Sequence, residues 1–182
     1  MDTTAAVAHA RELLDRAYEA QKKYAEFDQE RVDRIVANMA RVGYENAMKL
    51  ARMAVDETHI GKYEDKIIKN QFASKNFYES IKDMKTAGII REDKEKKVIE
   101  IAAPMGVVTA VIPTTNPTST VIFKCIASLK ARNAVVISPH PRAIRCCLET
   151  ARLMEEAAEA AGAPAGLIQC LDVASMDAAN EL

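Results

Sequence analysis

The stretch VVTAVIPTTNPTSTVIFKCIASLKARNAVVISPHPRA, residues 107–143, decides the fold. Val107–Ile112 is a short, β-branched, apolar run that reads as a strand. Pro113–Thr120 is a loop of Pro, Thr, Asn and Ser. A helix follows, with Val121, Ile122, Cys125, Ile126 and Leu129 on one side and Asn133 as its stop. Ala134–Ile137 is a second buried strand, and Ser138-Pro139-His140-Pro141 reads as a turn. The next helix turns Ile144, Cys147, Leu148, Ala151 and Met154 inward and ends at Gly162-Ala163-Pro164. Leu167–Leu171 is a third short strand. Residues 101–140 carry only three charged side chains, Lys124, Lys130 and Arg132, so these strands are buried. The β-α-β-α-β order with fully apolar strands implies a parallel sheet covered on both faces. Ligands bind such sheets outside the carboxyl ends of the strands. The loops leaving those ends are Pro113–Thr120 and Ser138–Arg142.

Upstream, the apolar period is helical. Ala6, Ala10, Leu13, Ala17, Ala20 and Tyr24 form one stripe. Asp28 is the N-cap of a second helix, in which Val32, Ile35, Val36 and Met39 share a face. Gly43 reads as punctuation, after which Ala47, Leu50, Ala51 and Ala54 continue the pattern. A further helix is expected over roughly 62–85, with Phe77, Ile81 and Met84 on one face. The mixed-sign run Arg91–Lys97 reads as a solvated connector. The expected class is therefore α/β: N-terminal helices followed by the first half of a Rossmann-like parallel sheet. The division is an N-terminal helical segment, 1–100, and a partial dinucleotide-binding unit, 101–182, together one incomplete domain.

Composition narrows the function. The chain has 182 residues and a formal net charge of −1, too balanced for a general nucleic-acid binder. Its 49% hydrophobic content is enough for a core. No apolar run reaches the ~18 residues of a membrane span, and Met1-Asp2-Thr3 does not open a signal peptide. Cys125, Cys146, Cys147 and Cys170 form no CxxC pair. They read as reduced thiols of a cytoplasmic protein rather than a disulfide framework or zinc site. Cys125 and Cys147 fall on apolar faces. Cys146 is expected to be exposed, but no base lies near it in sequence.

The first loop gathers five hydroxyls and one amide where a strand ends and a helix begins. Backbone N–H groups and the helix dipole favour anions and oxyanions there. An Asn amide can donate to a developing oxyanion, worth roughly 3–4 kcal/mol in acyl-transfer sites. Asn116 could equally be a plain N-cap with Pro117 at N1. In the second loop, the Ser138 hydroxyl and His140 imidazole suit a ribose, and Arg142 suits a phosphate. The other reading is an ordinary turn stiffened by two prolines. Neither GxGxxG nor GxxxxGK[ST] is present.

Several strings together resemble a known family. They are Ala103-Pro104-Met105-Gly106-Val107-Val108, Ile112-Pro113-Thr114-Thr115-Asn116-Pro117-Thr118-Ser119-Thr120, Phe123-Lys124 and Ser138-Pro139-His140-Pro141-Arg142-Ala143. With Glu64-Asp65-Lys66 and Asn70-Gln71-Phe72-Ala73-Ser74, they resemble the CoA-acylating branch of the aldehyde dehydrogenase superfamily. That branch includes acetylating acetaldehyde dehydrogenases and the aldehyde dehydrogenase half of bifunctional aldehyde-alcohol dehydrogenases. The resemblance implies oxidation of an aldehyde to an acyl-CoA, or the reverse, with NAD or NADP and coenzyme A. In that chemistry a cysteine thiolate attacks the aldehyde, hydride leaves for the nicotinamide, and CoA takes the acyl group. It implies that Ile112, Pro113, Thr114 and Thr115 touch the cofactor. Ser138 falls where ordinary members place a ribose-binding lysine, with His140 beside it. Asn116 would be the oxyanion donor, and Thr115 takes that place in an ungapped match. The family nucleophile lies further downstream, so the chain is expected to be an N-terminal fragment, inactive alone and homo-oligomeric when full length. The alternatives are a non-catalytic nucleotide-binding module and a helix-mediated interaction module docking through residues 1–25.

Overall fold

A computed structural model describes residues 3–173 and 175–182. Met1 and Asp2, part of the signal-peptide reading, lie outside the described residues. Helix α1 (Thr3–Tyr24) buries the whole stripe from Ala6 to Tyr24. That stripe is therefore used inside the molecule and is not free for the docking helix considered above. Helix α2 (Gln29–Glu45) begins at Asp28, whose carboxylate accepts the Arg31 N–H at 2.9 Å. It runs through Gly43 and breaks only at Asn46. Gly43 is a close-approach position, not punctuation. A Cβ there would lie 3.2 Å from the Ser74 Cβ and 3.4 Å from Ile122. Helix α3 (Ala47–Thr58) buries Ala47, Leu50, Ala51 and Ala54.

The helix expected over 62–85 is three pieces: α4 (Tyr63–Gln71), a π-helical turn (Phe72–Asn76) and α5 (Phe77–Ile81). The Ser74 hydroxyl donates to the carbonyls of Asn70 and Gln71. Such insertion of a side chain into the helical ladder accompanies bends and bulges. Met84 lies beyond the helix and is exposed. The charged run is not a free connector. Arg91, Glu92 and Asp93 belong to β1 (Gly88–Asp93), which pairs antiparallel with β2 (Val98–Ala102). Asp93 accepts the Lys96 N–H, and Lys97 takes φ 54° to close the turn.

Strands β3 (Val107–Ile112), β4 (Ala134–Pro139) and β5 (Ile168–Cys170) form one parallel sheet in the order β3-β4-β5. Ser138 and Pro139 extend β4 by two residues beyond the expected strand and are not part of a turn. Every residue of β4 is buried, so both faces are covered. Helix α1 lies across all three strands, and α6 (Pro117–Lys130) and α7 (Ile144–Ala160) pack on the strands they join. Helix α6 ends in a Schellman motif centred on Arg132 at φ 60°, with Asn133 N–H reaching the Ser128 carbonyl. Arg132 is thus the left-handed stop. Asn133 instead accepts the N–H groups of Met105 and Gly106. A short helix, α8 (Met176–Glu181), packs back on α1. One apolar core runs from Ala6 to Ala178.

Two predictions follow from this packing. Gly43→Leu forces side-chain carbons into the gap against Ser74, Ile122 and Met154, and is expected to cost at least about 2 kcal/mol in urea unfolding. Glu155 accepts the N–H groups of Gly166 and Ile168, while burial pushes its carboxyl up to about 7. The native state therefore holds this proton more tightly than the unfolded chain, whose carboxyl titrates near about 4.3. Its contribution is full below that pH and declines as pH rises towards about 7. Glu155→Gln should flatten the slope of unfolding free energy with pH in that window.

Candidate functional site

The sheet register sets Val111 opposite Ser138 and Ile112 opposite Pro139. The carboxyl ends of β3 and β4 are therefore neighbours, and both candidate loops open on one edge. Ile112 is buried at the strand end, Thr114 is half-buried, and Pro113 and Thr115 are exposed. The first loop is shorter than expected, because α6 already begins at Pro117. Asn116 occupies the N-cap place, but its side chain does not cap the helix. Its Oδ1 accepts from Lys69 Nζ at 2.9 Å, and its Nδ2 donates to Thr115 Oγ1 at 3.3 Å.

One face of α4 holds this loop. The buried Lys66 ammonium donates to the Thr115 carbonyl at 2.9 Å. Burial lowers its pKa, with the Lys69 charge second. Buried Asn70 accepts from Thr118 Oγ1 at 2.8 Å and donates to the Ala47 carbonyl at 3.0 Å. Sequence reasoning did not assign these three residues a role. Their i, i+3, i+4 spacing was the available signal, since it puts them on one helical face. Beside Asn116 lies an open groove of about 480 Å³, lined by Ile68, Phe72, Phe77 and Phe123 among others. Phe72 is 65% exposed there, and the rings of Phe77 and Phe123 sit 4.5 Å apart.

At the second loop, Ser138 is buried in β4 and His140 is exposed. His140 Nδ1 accepts the Arg142 N–H, which leaves its other nitrogen outward. The Arg142 guanidinium, read from sequence as suited to a phosphate, donates to the Thr58 carbonyl at 3.0 Å. Helix α7 has no capping side chain of its own. Glu57 supplies one from α3, accepting the N–H groups of Arg145 and Cys146 at 2.8 and 2.7 Å. A helix starting on Ala143-Ile144 needs an outside cap, which was the missed clue.

Cys146 is buried, not exposed, with its thiol against the Ala143 carbonyl. Contact with Cys146, then burial, raises the Cys147 thiol. Burial raises the Cys125 thiol and pushes Cys170 up to about 12. Burial that disfavours the thiolate, as at Cys125 and Cys147, makes a thiol a packing group rather than a nucleophile.

The aldehyde dehydrogenase family model matches residues 3–182. The bifunctional aldehyde-alcohol dehydrogenase AdhE of Escherichia coli K12 is 46% identical over 176 residues, covering 97% of this chain and 20% of that protein. An acetylating aldehyde dehydrogenase from Geobacillus thermoglucosidasius superimposes with a TM-score of 0.97 at 52% identity, over 99% of this chain and 40% of that one. The propionaldehyde dehydrogenase of Rhodopseudomonas palustris, solved with bound CoA and an acylated cysteine, gives a TM-score of 0.78 at 33% identity over 94% of this chain and 39% of that one. The chain thus spans between a fifth and two fifths of the length of these proteins.

Asn70→Ala strands the Thr118 hydroxyl and removes a second donor from the Ala47 carbonyl. Its expected cost is about 2 kcal/mol, read from the urea midpoint.

Proposed function

The chain belongs to the aldehyde dehydrogenase family, and we propose that it forms the N-terminal part of a CoA-acylating member that converts an aldehyde to an acyl-CoA, or the reverse. The observation that carries this reading is the Asn116 side chain. It stands at a helix N-terminus beside an apolar groove, yet it does not cap that helix. Its amide is available to donate to an aldehyde oxygen as negative charge develops. Apolar walls at Ile68, Phe72 and Phe123 suit the carbon chain of the aldehyde.

The carboxyl edge of β3 and β4 is the place for NAD or NADP, as at other parallel sheets. The adjacent Thr114, Thr115, Ser138 and His140 offer hydroxyl and imidazole partners for a ribose. Ile112, buried at the strand end, and the exposed Pro113 lie beside them in the chain. The nicotinamide supplies hydride transfer when bound. The residues described here orient the aldehyde oxygen and line the groove. Coenzyme A is the acyl acceptor, as suggested by the CoA seen in the R. palustris relative. No helix among the described residues is long and apolar enough to cross a membrane. The four free cysteines favour a reducing compartment such as the cytoplasm. On the hairpin, Ile89, Ile99 and Ile101 are exposed, Ile101 by 66%, which favours a homo-oligomer of the longer protein.

The test is a chimaera in which this chain replaces the matching 40% of the Geobacillus enzyme. It should form NADH only when both aldehyde and CoA are present. Asn116→Ala should lower kcat about 10²–10³-fold, the loss typical of one oxyanion donor, and by more than Thr115→Ala does. A folded chimaera without activity, together with saturable NADH binding by this chain alone, would favour the non-catalytic nucleotide-binding module.

A further inference from the structure

We infer that Lys69 is a positioning residue for Asn116, holding its amide oxygen so that the donating end is left free; the inference rests on the proposed role of Asn116 as oxyanion donor. An asparagine amide has an accepting end and a donating end, and only the donating end can stabilise an oxyanion. A lysine ammonium has three donors and no acceptor, so the end that faces it must be Oδ1. Lys69 Nζ lies 2.9 Å from that oxygen. Nδ2 is left on the other side, with the Thr115 hydroxyl at 3.3 Å as its one partner. One of its two N–H groups therefore remains for a ligand.

Without Lys69, the amide has a competing choice. Asparagine at an N-cap ordinarily turns its oxygen back to the N–H groups of the first helical turn. Here those are the N–H groups of Thr118 and Ser119. The N-cap place is filled and the capping bond is absent, as expected if Lys69 draws the oxygen away. The same helix grips the neighbouring residues through Lys66 on the Thr115 carbonyl and Asn70 on Thr118. Lys69 is thus delivered to a loop already fixed on both sides of Asn116. The positive charge on Oδ1 also polarises the amide, which strengthens its remaining N–H donor. Lys69 is itself exposed, so its removal should leave the core intact.

Two measurements test this. In the chimaera, Lys69→Met should lower kcat roughly tenfold to a hundredfold, the scale of a misplaced catalytic group, with the aldehyde KM within about twofold. Lys69→Arg, which keeps the donors, should recover most of the loss. In an Asn116→Ala background, Lys69→Met should add nothing further, because the two side chains act as one unit. An unchanged kcat in Lys69→Met, or losses that multiply in the double variant, would overturn the inference. If Asn116→Ala itself has no effect, the oxyanion reading fails. The arrangement of the pair is then judged by NMR of this chain labelled with [15N]asparagine. Lys69→Met should move the Asn116 side-chain N–H pair and Lys69→Arg should return it. A pair that stays in place sinks the inference whatever the kinetics show.

Discussion

Where β3 ends, the chain leaves the sheet and its backbone carbonyls lose their strand partner. Buried or half-buried carbonyls have to be satisfied from somewhere. Helix α4 meets that requirement. Lys66 reaches the Thr115 carbonyl, Lys69 reaches the Asn116 side chain, and Asn70 holds Thr118. Three residues on one helical face therefore hold three positions, Thr115, Asn116 and Thr118. Burying the Lys66 ammonium is unfavourable, as its lowered pKa records. It is tolerated because a carbonyl oxygen meets it. The site's geometry is thus set less by the loop's own turn chemistry than by a helix about fifty residues upstream.

The two crossover helices treat their N-termini differently. At α7, the Glu57 carboxylate fills the position, accepting two N–H groups and placing a negative charge on the positive end of the dipole. An anionic ligand would have to displace it. At α6, Pro117 stands at N1 and lacks an N–H, and the Asn116 oxygen is held away by Lys69. That end keeps its dipole and a donating amide, beside a groove whose walls are mostly apolar. The contrast favours developing negative charge near β3 over β4.

Much of the fold was legible because long apolar patterns dominate it. Strands β3 and β4 and the faces of α1, α2 and α6 follow directly from period and burial. The failures have local causes. Gly43 carries no sign of whether it ends a helix or admits a neighbour, and only the packing of Ser74 and Ile122 decides. The π-helical turn depends on a Ser74 hydroxyl bond that periodicity cannot register. The hairpin was hidden because charged residues from Arg91 to Lys97 dilute the strand pattern, while Arg91 in fact pairs across to Glu100 at 2.7 Å. Asn133 looked like a helix stop because Asn tolerates left-handed backbone, but Arg132 took that conformation. At the candidate site, the two loops read from the sequence do lie at neighbouring strand ends. The sequence could not show that α4 reaches the first one, since that contact spans 49 residues between Lys66 and Thr115.

The same contacts connect the core to the site. Gly43 lets α2 approach Ser74 closely. The Ser74 hydroxyl bonds the Asn70 carbonyl, and the Asn70 side chain holds Thr118, two residues from Asn116. The π-helical turn sits in the middle of this path, and π turns often mark functional sites. Within α4, Lys66 and Asn70 are buried while Ile68 lines the groove, where Phe72 of the π-helical turn and Phe77 of α5 join it. One segment, α4 with the turn that follows it, therefore both holds the Asn116 loop and walls the groove beside it.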